Sequence, residues 1–388
     1  MRICTLLFVI LSGTVYAQGE PELKSSDLKK ISKPVADWID ARIANKPDKV
    51  SDAILSLEEQ VAKLAKKTKD RNPLSYVYDW ELTLHSLRKY ATSGSLVKKG
   101  RVNDIEFAQA PYSVYLPSKY NPKKVNYPCV VLLGKDAAAL IESLPSDVLD
   151  NAIVLAPDIS SLSADVVMTY DAAVAVIVPV AKASQAYHLD RMRLFLVGVD
   201  DLGSHIAMQW GAITPHMFTG VACTTDASAK VMAPSNLALI SNEVFADANA
   251  AATWCLEQPR TNPYPTEFEF EVPFASQSRV FWVHPVKFDS PEDPTEGGFA
   301  KVKVAVDRAT NTISIDSDAV YRIKLYLNDV IVDLDKPLII KRNGIDYTYQ
   351  SSRSVGTMLE VFISSFDGAV YPAVIPEVDI PQPEPTKE

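Results

Sequence analysis

The spacing of apolar residues changes twice along this chain, and each change marks a different kind of structure. Between residues 18 and 100 apolar side chains recur three and four apart: Val35, Trp38, Ile39 and Ile43, then Ile54, Leu57, Val61 and Leu64, then Leu84 and Leu87. That period predicts amphipathic helices, with Pro47 and Asn72-Pro73 as the breaks between them. A helical hairpin or three-helix region is expected, its lysine-rich faces turned to water.

From Tyr112 the chain shows short apolar runs instead. Residues 113–117, 129–133, 152–156, 194–197, 221–223 and 237–240 read as strands, most of them buried. Helical stretches at 137–144, 166–187, 204–212 and 246–256 lie between them. Strand and helix in alternation predict an α/β domain over residues 101–259, a mainly parallel sheet with helices on both faces. Past Pro259 apolar and polar residues alternate strictly, at 267–272, 301–306, 313–315, 323–327 and 338–340, as in half-exposed strands. Asn343-Gly344 between two such runs signals a hairpin, and 281–285 reads as a further strand. Residues 260–375 are therefore expected to form a β-rich C-terminal module, a small sandwich with one helix near Met358–Phe362. The tail, 376–388, carries Pro381, Pro383 and Pro385 with no aromatic residue and is expected to be disordered.

Composition narrows the setting. The chain has 388 residues, 47% hydrophobic and 22% charged, as ordinary globular proteins do. Met1-Arg2, the apolar run from Ile3 to Leu11 and Val15-Tyr16-Ala17 read as a secretory signal over residues 1–17, which predicts export to the periplasm or the outside. A net charge of −9 argues against nucleic acid or an anionic membrane as partner. The run at 172–180 is too short to span a bilayer, so no integral membrane segment is expected after signal removal. Cys129, Cys223 and Cys255 remain beyond the signal, as small buried hydrophobes or as one disulfide and a free thiol. No CxxC pair, His/Cys cluster, Walker loop or G-x-G-x-x-G occurs, so neither metal nor nucleotide cofactor is indicated.

The stretch most loaded with chemical meaning runs from Tyr187 to Trp210, YHLDRMRLFLVGVDDLGSHIAMQW. A buried strand ends at Gly198, a short polar turn follows, and Ile206, Ala207 and Trp210 return at helical spacing. Tyr187, Asp190, Arg193, Leu196 and Gly198, with Pro215 and Phe218 beyond the helix, resemble the surroundings of the nucleophile turn in secreted esterases of the α/β-hydrolase superfamily, including polyhydroxybutyrate-depolymerase and feruloyl-esterase types. Tyr112, Leu116-Pro117 and Tyr120 resemble the entry into the same group. The resemblance covers about residues 107–258 and implies a G-x-S-x-G turn between strand and helix. Here Asp200 stands at the serine and Leu202 at the second glycine. The loop after the first parallel strand, Gly134-Lys135-Asp136, lacks the His-Gly that the resemblance implies for the oxyanion site.

Asp200 admits two readings. It is a carboxylate nucleophile, as in dehalogenases and epoxide hydrolases of this superfamily, or it caps the following helix at its positive end. Asp201 has the same second reading, and Ser204 lies inside the predicted helix. Among the histidines, His85, His188, His205 and His216 fall at the wrong places in chain order. His284 alone lies late enough to serve as the histidine of a triad, with Glu243 or Asp247 near the acid's place. The candidate site is thus Asp200 and His284, with Gly198, Asp201, Gly203 and Gly134 shaping the turn and the oxyanion region. Asp329, Asp333 and Asp335 resemble an acidic loop for calcium, though without EF-hand spacing. Trp254, Tyr264, Phe281 and Trp282 are candidates for a sugar-stacking surface or for core packing.

Three functions remain open on the sequence. The first is a hydrolase fold without catalysis, serving as a binding or scaffold module for a small-molecule or polymer ligand. The second is an active carboxylic-ester hydrolase using Asp200 or a serine elsewhere. The third is binding of polysaccharide or a surface partner through the β-rich module.

Overall fold

Apolar runs bounded by turns become the buried strands of one sheet because both of their faces find helices. In the computed structural model, which describes residues 22–68, 71–87, 97–107, 110–121, 126–163, 170–274, 279–292, 298–350, 352–364 and 370–382, that sheet has seven strands in the order β1-β2-β4-β3-β5-β6-β7. They are β1 (Val102–Ile105), β2 (Tyr112–Tyr115), β3 (Tyr127–Leu133), β4 (Ile153–Pro157), β5 (Leu189–Gly198), β6 (Gly220–Cys223) and β7 (Ser241–Val244). β3 to β7 run parallel, and β2 is antiparallel to both neighbours. The expected signal at 1–17 lies outside the described residues.

Side chains alternate between the two faces, as a pleated strand requires. Cys129, Val131, Leu133, Leu194 and Leu196 pack with α6 (Tyr170–Ala186) and α7 (Asp201–Ile213). Val130, Leu132, Phe195 and Val197 pack on the other face with α4 (Ala137–Leu140), α5 (Ser146–Asn151) and α8 (Ala248–Glu257). The chain leaves β3 in one direction for β4 and returns on the other side for β5. The carboxyl ends of β3 and β5 therefore frame the crevice where open α/β sheets bind ligands.

One predicted strand is displaced. Residues 237–240 belong mostly to a 3-10 helix, Pro234–Leu239, which Ala233 opens in the left-handed region at φ 52°. Proline at its first turn favours that helix over a ladder. The side chain of Asn236 donates to the Glu271 carbonyl at 2.9 Å and accepts from the Glu271 N–H at 2.8 Å. The sheet is continued instead by β7, an edge strand of mostly exposed residues that carries no apolar signal.

The β-rich module is two sheets on a shared core. β8 (Glu267–Val272), β10 (Ala300–Asp307), β11 (Thr312–Asp318), β13 (Leu338–Arg342) and β14 (Ile345–Tyr349) make one, in the order β14-β13-β11-β10-β8. β9 (Val283–Phe288), β12 (Val320–Leu325) and β15 (Glu377–Asp379) make the other, in the order β15-β12-β9. Asn343 and Gly344, at φ 46° and 80°, make the two-residue turn between β13 and β14 that their types favour.

Two expectations about the C-terminal part are corrected. Residues 376–382 are ordered: Val378 and Ile380 turn into the core, and β15 pairs with β12. Proline is compatible with such an edge strand. Residues 383–388 lie outside the described residues. The second correction concerns α9 (Val355–Ser364), which leaves the module for the N-terminal helices α1 (Ser25–Ile43), α2 (Pro47–Thr68) and α3 (Val77–Leu87). Its stripe Val355, Met358, Leu359 and Phe362 completes a core with Trp38, Leu57, Trp80 and Leu84. A stripe at that period needs a helical groove, and those three helices supply one.

Candidate functional site

The turn after β5 is built by two close backbone approaches. A Cβ on Gly198 would lie 2.3 Å from the Ser204 Cα, and one on Gly203 would lie 1.8 Å from the Leu133 carbonyl oxygen. The second small residue is therefore needed at 203, one place beyond Leu202, because α7 starts directly against the end of β3. Leu202 is free to pack partly on the sheet core.

No residue from 198 to 204 has a φ in the left-handed region. Asp200 is extended, at φ −149° and ψ −179°. A nucleophile turn of the hydrolase type holds its nucleophile on strained backbone. This turn is relaxed, and Asp200 takes the N-cap position of α7.

Both carboxylate oxygens of Asp200 are engaged by backbone donors. Oδ1 accepts from the Gly203 N–H at 2.7 Å, and Oδ2 accepts from the Lys135 N–H at 2.8 Å. Lys135 lies in the loop that follows β3. Val199 N–H donates to the Leu133 carbonyl at 2.9 Å, and a Cβ on Gly134 would meet Val199 Cγ2 at 2.5 Å. The Asp200 side chain thus bridges the two halves of the crevice.

The remaining sequence candidates are held in other ways. Asp201 accepts from the Thr225 hydroxyl at 2.8 Å. Ser204 is fully buried, donates to the Gly198 carbonyl at 3.4 Å and accepts from the Thr225 N–H at 3.3 Å. Asp247 caps α8 through the Ala250 N–H at 2.9 Å, and Glu243 is exposed on β7. His205 Nε2 stands 3.3 Å from the Lys230 carbonyl, and the His188 N–H donates to the Tyr120 hydroxyl at 2.9 Å. The side chain of His85 lies outside the described residues.

His284 sits on β9, with Nδ1 3.5 Å from the Tyr326 hydroxyl. Burial, with Arg279 and Lys324 nearby, lowers its pKa to about 4. It shares a cleft with Trp210 and His216, beyond most of the length of α7 from Asp200. Ten residues of helix rise separate Asp200 from Trp210, about 15 Å. The structure does not bring Asp200 and His284 together, and among the described residues no histidine bonds to Asp200.

The cysteines and the acidic loop have structural explanations. Cys129, Cys223 and Cys255 are free and buried, and burial pushes all three thiols up, Cys223 to about 12. Asp329 and Asp335 pair with the buried guanidinium of Arg353, and Asp333 pairs with Lys336 at 2.8 Å. A side-chain cation already stands where the sequence suggested calcium. Of the two readings of the aromatics, core packing is the one observed: Tyr264, Phe281 and Trp282 are buried, and Trp254 packs on Phe195 and Phe245.

An ion cluster at the edge of the sheet went unnoticed in the sequence. Buried Asp190 accepts from Arg193 at 3.0 Å and from Arg260 at 2.8 Å. Burial raises the half-buried Glu81 of α3 to about 7; the Asp190 charge raises it further, against the pull of Arg260. Asp190 and Arg193 were visible as part of the resemblance, but their partner lies 70 residues away. Beside Lys135, a cleft of 390 Å³ runs past Asp104, Glu106 and Asp158 at the carboxyl ends of β3 and β4.

No family model and no curated protein matches the sequence. Among solved structures the chain is similar to a thermostable esterase, at 16% identity and TM-score 0.28, over 40% of this chain and 59% of that one. It is similar to an S-formylglutathione hydrolase from Agrobacterium tumefaciens at 16% identity and TM-score 0.26, over 31% of this chain and 56% of that one. A CE1 ferulic acid esterase from Anaeromyces mucronatus aligns at 14% identity and TM-score 0.27, over 43% of this chain and 92% of that one. The chain thus spans less than two thirds of the first two of these proteins. No helix among the described residues is long and apolar enough to cross a membrane.

Proposed function

We propose that this chain carries an α/β-hydrolase-like sheet whose catalytic turn has been closed, and that it acts after export as a non-catalytic binding module. The observation that carries this reading is the Asp200 carboxylate, held at once by the N–H groups of Gly203 and Lys135. A nucleophile needs a free lone pair aimed at substrate and an oxyanion site waiting beside it. Here the loop donor, the Lys135 N–H, is taken by the carboxylate itself, and the Gly203 N–H fixes the other oxygen to the start of α7. The sheet order, with β2 antiparallel and the turn after β5, supports the superfamily assignment.

One observation favours an active ester hydrolase instead, the cleft beside Lys135 that reaches the edge of the turn. Turnover of p-nitrophenyl acetate and butyrate by the purified protein and by Asp200→Ala separates the two readings. The non-catalytic reading expects no turnover above the blank from either protein, with both folded by circular dichroism. Turnover by the wild type that disappears in Asp200→Ala would make Asp200 a nucleophile and overturn it.

A further inference from the structure

We propose that the outer edge of β14 pairs with the same edge of a second copy of this chain, antiparallel about a twofold axis at Tyr347, joining the two five-stranded sheets edge to edge. β14 has β13 on one side and no strand on the other. The N–H of Ile339 in β13 donates to the Asn311 carbonyl at 3.1 Å, and the N–H of Asn343 just beyond it to the Ile315 carbonyl at 2.9 Å, so that side of β13 faces β11. Backbone groups alternate along a strand, which turns those of Leu338, Ile340 and Arg342 to Tyr349, Tyr347 and Ile345 of β14. Asp346 and Thr348 therefore present their N–H and C=O groups outward, and no protein group among the described residues meets them.

The other edges of the module are guarded. β8 carries Glu267, Glu269 and Glu271, and the Asn236 side chain occupies the Glu271 backbone. β9 has Pro285 within it, and β15 is three residues long with Pro376 before it. Charge, proline and short length are the usual protections of an edge. β14 reads Ile-Asp-Tyr-Thr-Tyr, with neither proline nor lysine. Ile345 and Tyr347, 51% and 40% exposed, are two of the five large apolar side chains exposed among the described residues. Paired with Arg342 and Ile340, they stand on the core-facing side of the sheet but outside the core itself, against which Tyr349 packs. The Arg342 guanidinium lies 4.8 Å over the Tyr347 ring and steadies it.

The edge is complementary to itself. With the axis at Tyr347, Asp346 of one copy stands opposite Thr348 of the other, and each outward N–H meets an outward carbonyl. Each carboxylate then faces a hydroxyl that donates to it, and no carboxylate faces its own counterpart. On the apolar side Tyr347 meets Tyr347 and Ile345 meets Tyr349, so the exposed apolar surface of one copy covers that of the other. Such an isologous pair closes on itself and leaves no β14 edge for a third copy. An unrelated extended peptide would have to supply the same match of backbone, charge and apolar face. One strand pair is a small interface, so a reversible dimer with a Kd of about 1–100 μM is expected.

Sedimentation velocity of the purified protein from about 1 to 300 μM, with amide hydrogen exchange over the same range, tests the pairing. The mass is expected to rise towards twice the monomer's. The Asp346 and Thr348 amides should gain protection with concentration, while those of Ile345 and Tyr347 are protected throughout. Thr348→Pro deletes an outward donor and none of the bonds to β13, so it should weaken the dimer at least about tenfold with circular dichroism unchanged. Thr348→Glu sets two pairs of carboxylates opposite each other and should weaken it about 2- to 30-fold, whereas Thr348→Lys sets a cation opposite Asp346 and should keep or tighten it. A constant mass, association untouched by Thr348→Pro, or the same effect from Thr348→Glu and Thr348→Lys would overturn the proposal. Protection of the Asp346 and Thr348 amides in a monomer at every concentration would overturn it too, by showing that the chain covers its own edge. None of these variants touches Asp200, so failure here is separate from the outcome of the ester assay.

Discussion

Replacing Asp200 by alanine separates a structural staple from a nucleophile more sharply than any kinetic assay alone. The substitution removes the acceptor for the Gly203 N–H, and loss of such an N-cap costs about 0.5–2 kcal/mol. It also removes the carboxylate that accepts from the Lys135 N–H. A hydrogen bond to a charged group contributes about 1.5–3 kcal/mol when buried; this one lies near solvent, so about 1 kcal/mol is the fitting figure. The two together predict a local loss of about 1.5–3 kcal/mol at the junction of β3 and α7. Asp200→Asn keeps one acceptor oxygen and turns an amide N–H₂ towards the other donor. It should lose about half as much. With three cores in the described chain beyond the first, a single unfolding free energy is a poor readout. Amide hydrogen exchange is the direct one: the Lys135 and Gly203 amides should lose roughly 10- to 150-fold of protection in Asp200→Ala, and the strands of the β-rich module none. Unchanged protection at Lys135 and Gly203 would refute the staple, whatever the esterase assay gives.

Three further outcomes follow from the same geometry. Gly203→Ala sets a Cβ 1.8 Å from a backbone oxygen that cannot move aside, so it should cost about 3 kcal/mol or more, whereas Gly356→Ala, with no atom nearer than 3.6 Å, should gain up to about 1 kcal/mol; urea melts of both variants check the contrast. Glu81 keeps its proton in the fold up to about pH 7, while an ordinary glutamate releases it near 4.5. The folded state therefore binds the extra proton between those values, and this group's contribution is lost as pH rises through that window. Glu81→Gln should accordingly gain about 1–2 kcal/mol over wild type at pH 8 relative to pH 5 in paired thermal melts, a figure reduced for partial exposure. Arg353→Ala leaves three carboxylates within 4.8 Å of one another, and should both destabilise by about 3 kcal/mol and acquire a melting temperature that rises with added calcium, which the wild type lacks.

The parts of the fold legible in the sequence were those whose physics is local. β8 coincides with the alternating run that predicts it, because each of its side chains meets either core or water. β3, β4 and β6 follow apolar runs closely for the complementary reason, helices on both faces. What escaped was structure fixed by distant partners. β1 and β7 are edge strands, β1 half-buried and β7 largely exposed, each ordered by a single neighbour's ladder. α9 looked like part of the module because it follows β14, yet its apolar stripe packs mainly on helices more than 260 residues earlier. β15 was hidden among prolines, since nothing local distinguishes an edge strand held by Arg322 and Lys324 from a solvated tail.

The site was legible in position and ambiguous in meaning, and the ambiguity has a physical source. An aspartate between a buried strand and a helix sits at the positive end of a row of peptide dipoles. That field stabilises a carboxylate equally well whether it waits for an electrophile or caps the helix. Spacing therefore identifies the place and leaves the role open. The role depends on backbone torsion and on the loop after β3, which lies 65 residues from Asp200 in the chain. A strained turn would hold the carboxylate away from its own helix and leave the loop N–H for substrate. An extended residue at φ −149° lets it reach both donors at once. The shift of the second glycine from 202 to 203 belongs to the same geometry, because α7 then starts close enough to β3 for Asp200 to span the gap. The two donors and the extended backbone at Asp200 are thus parts of one geometry.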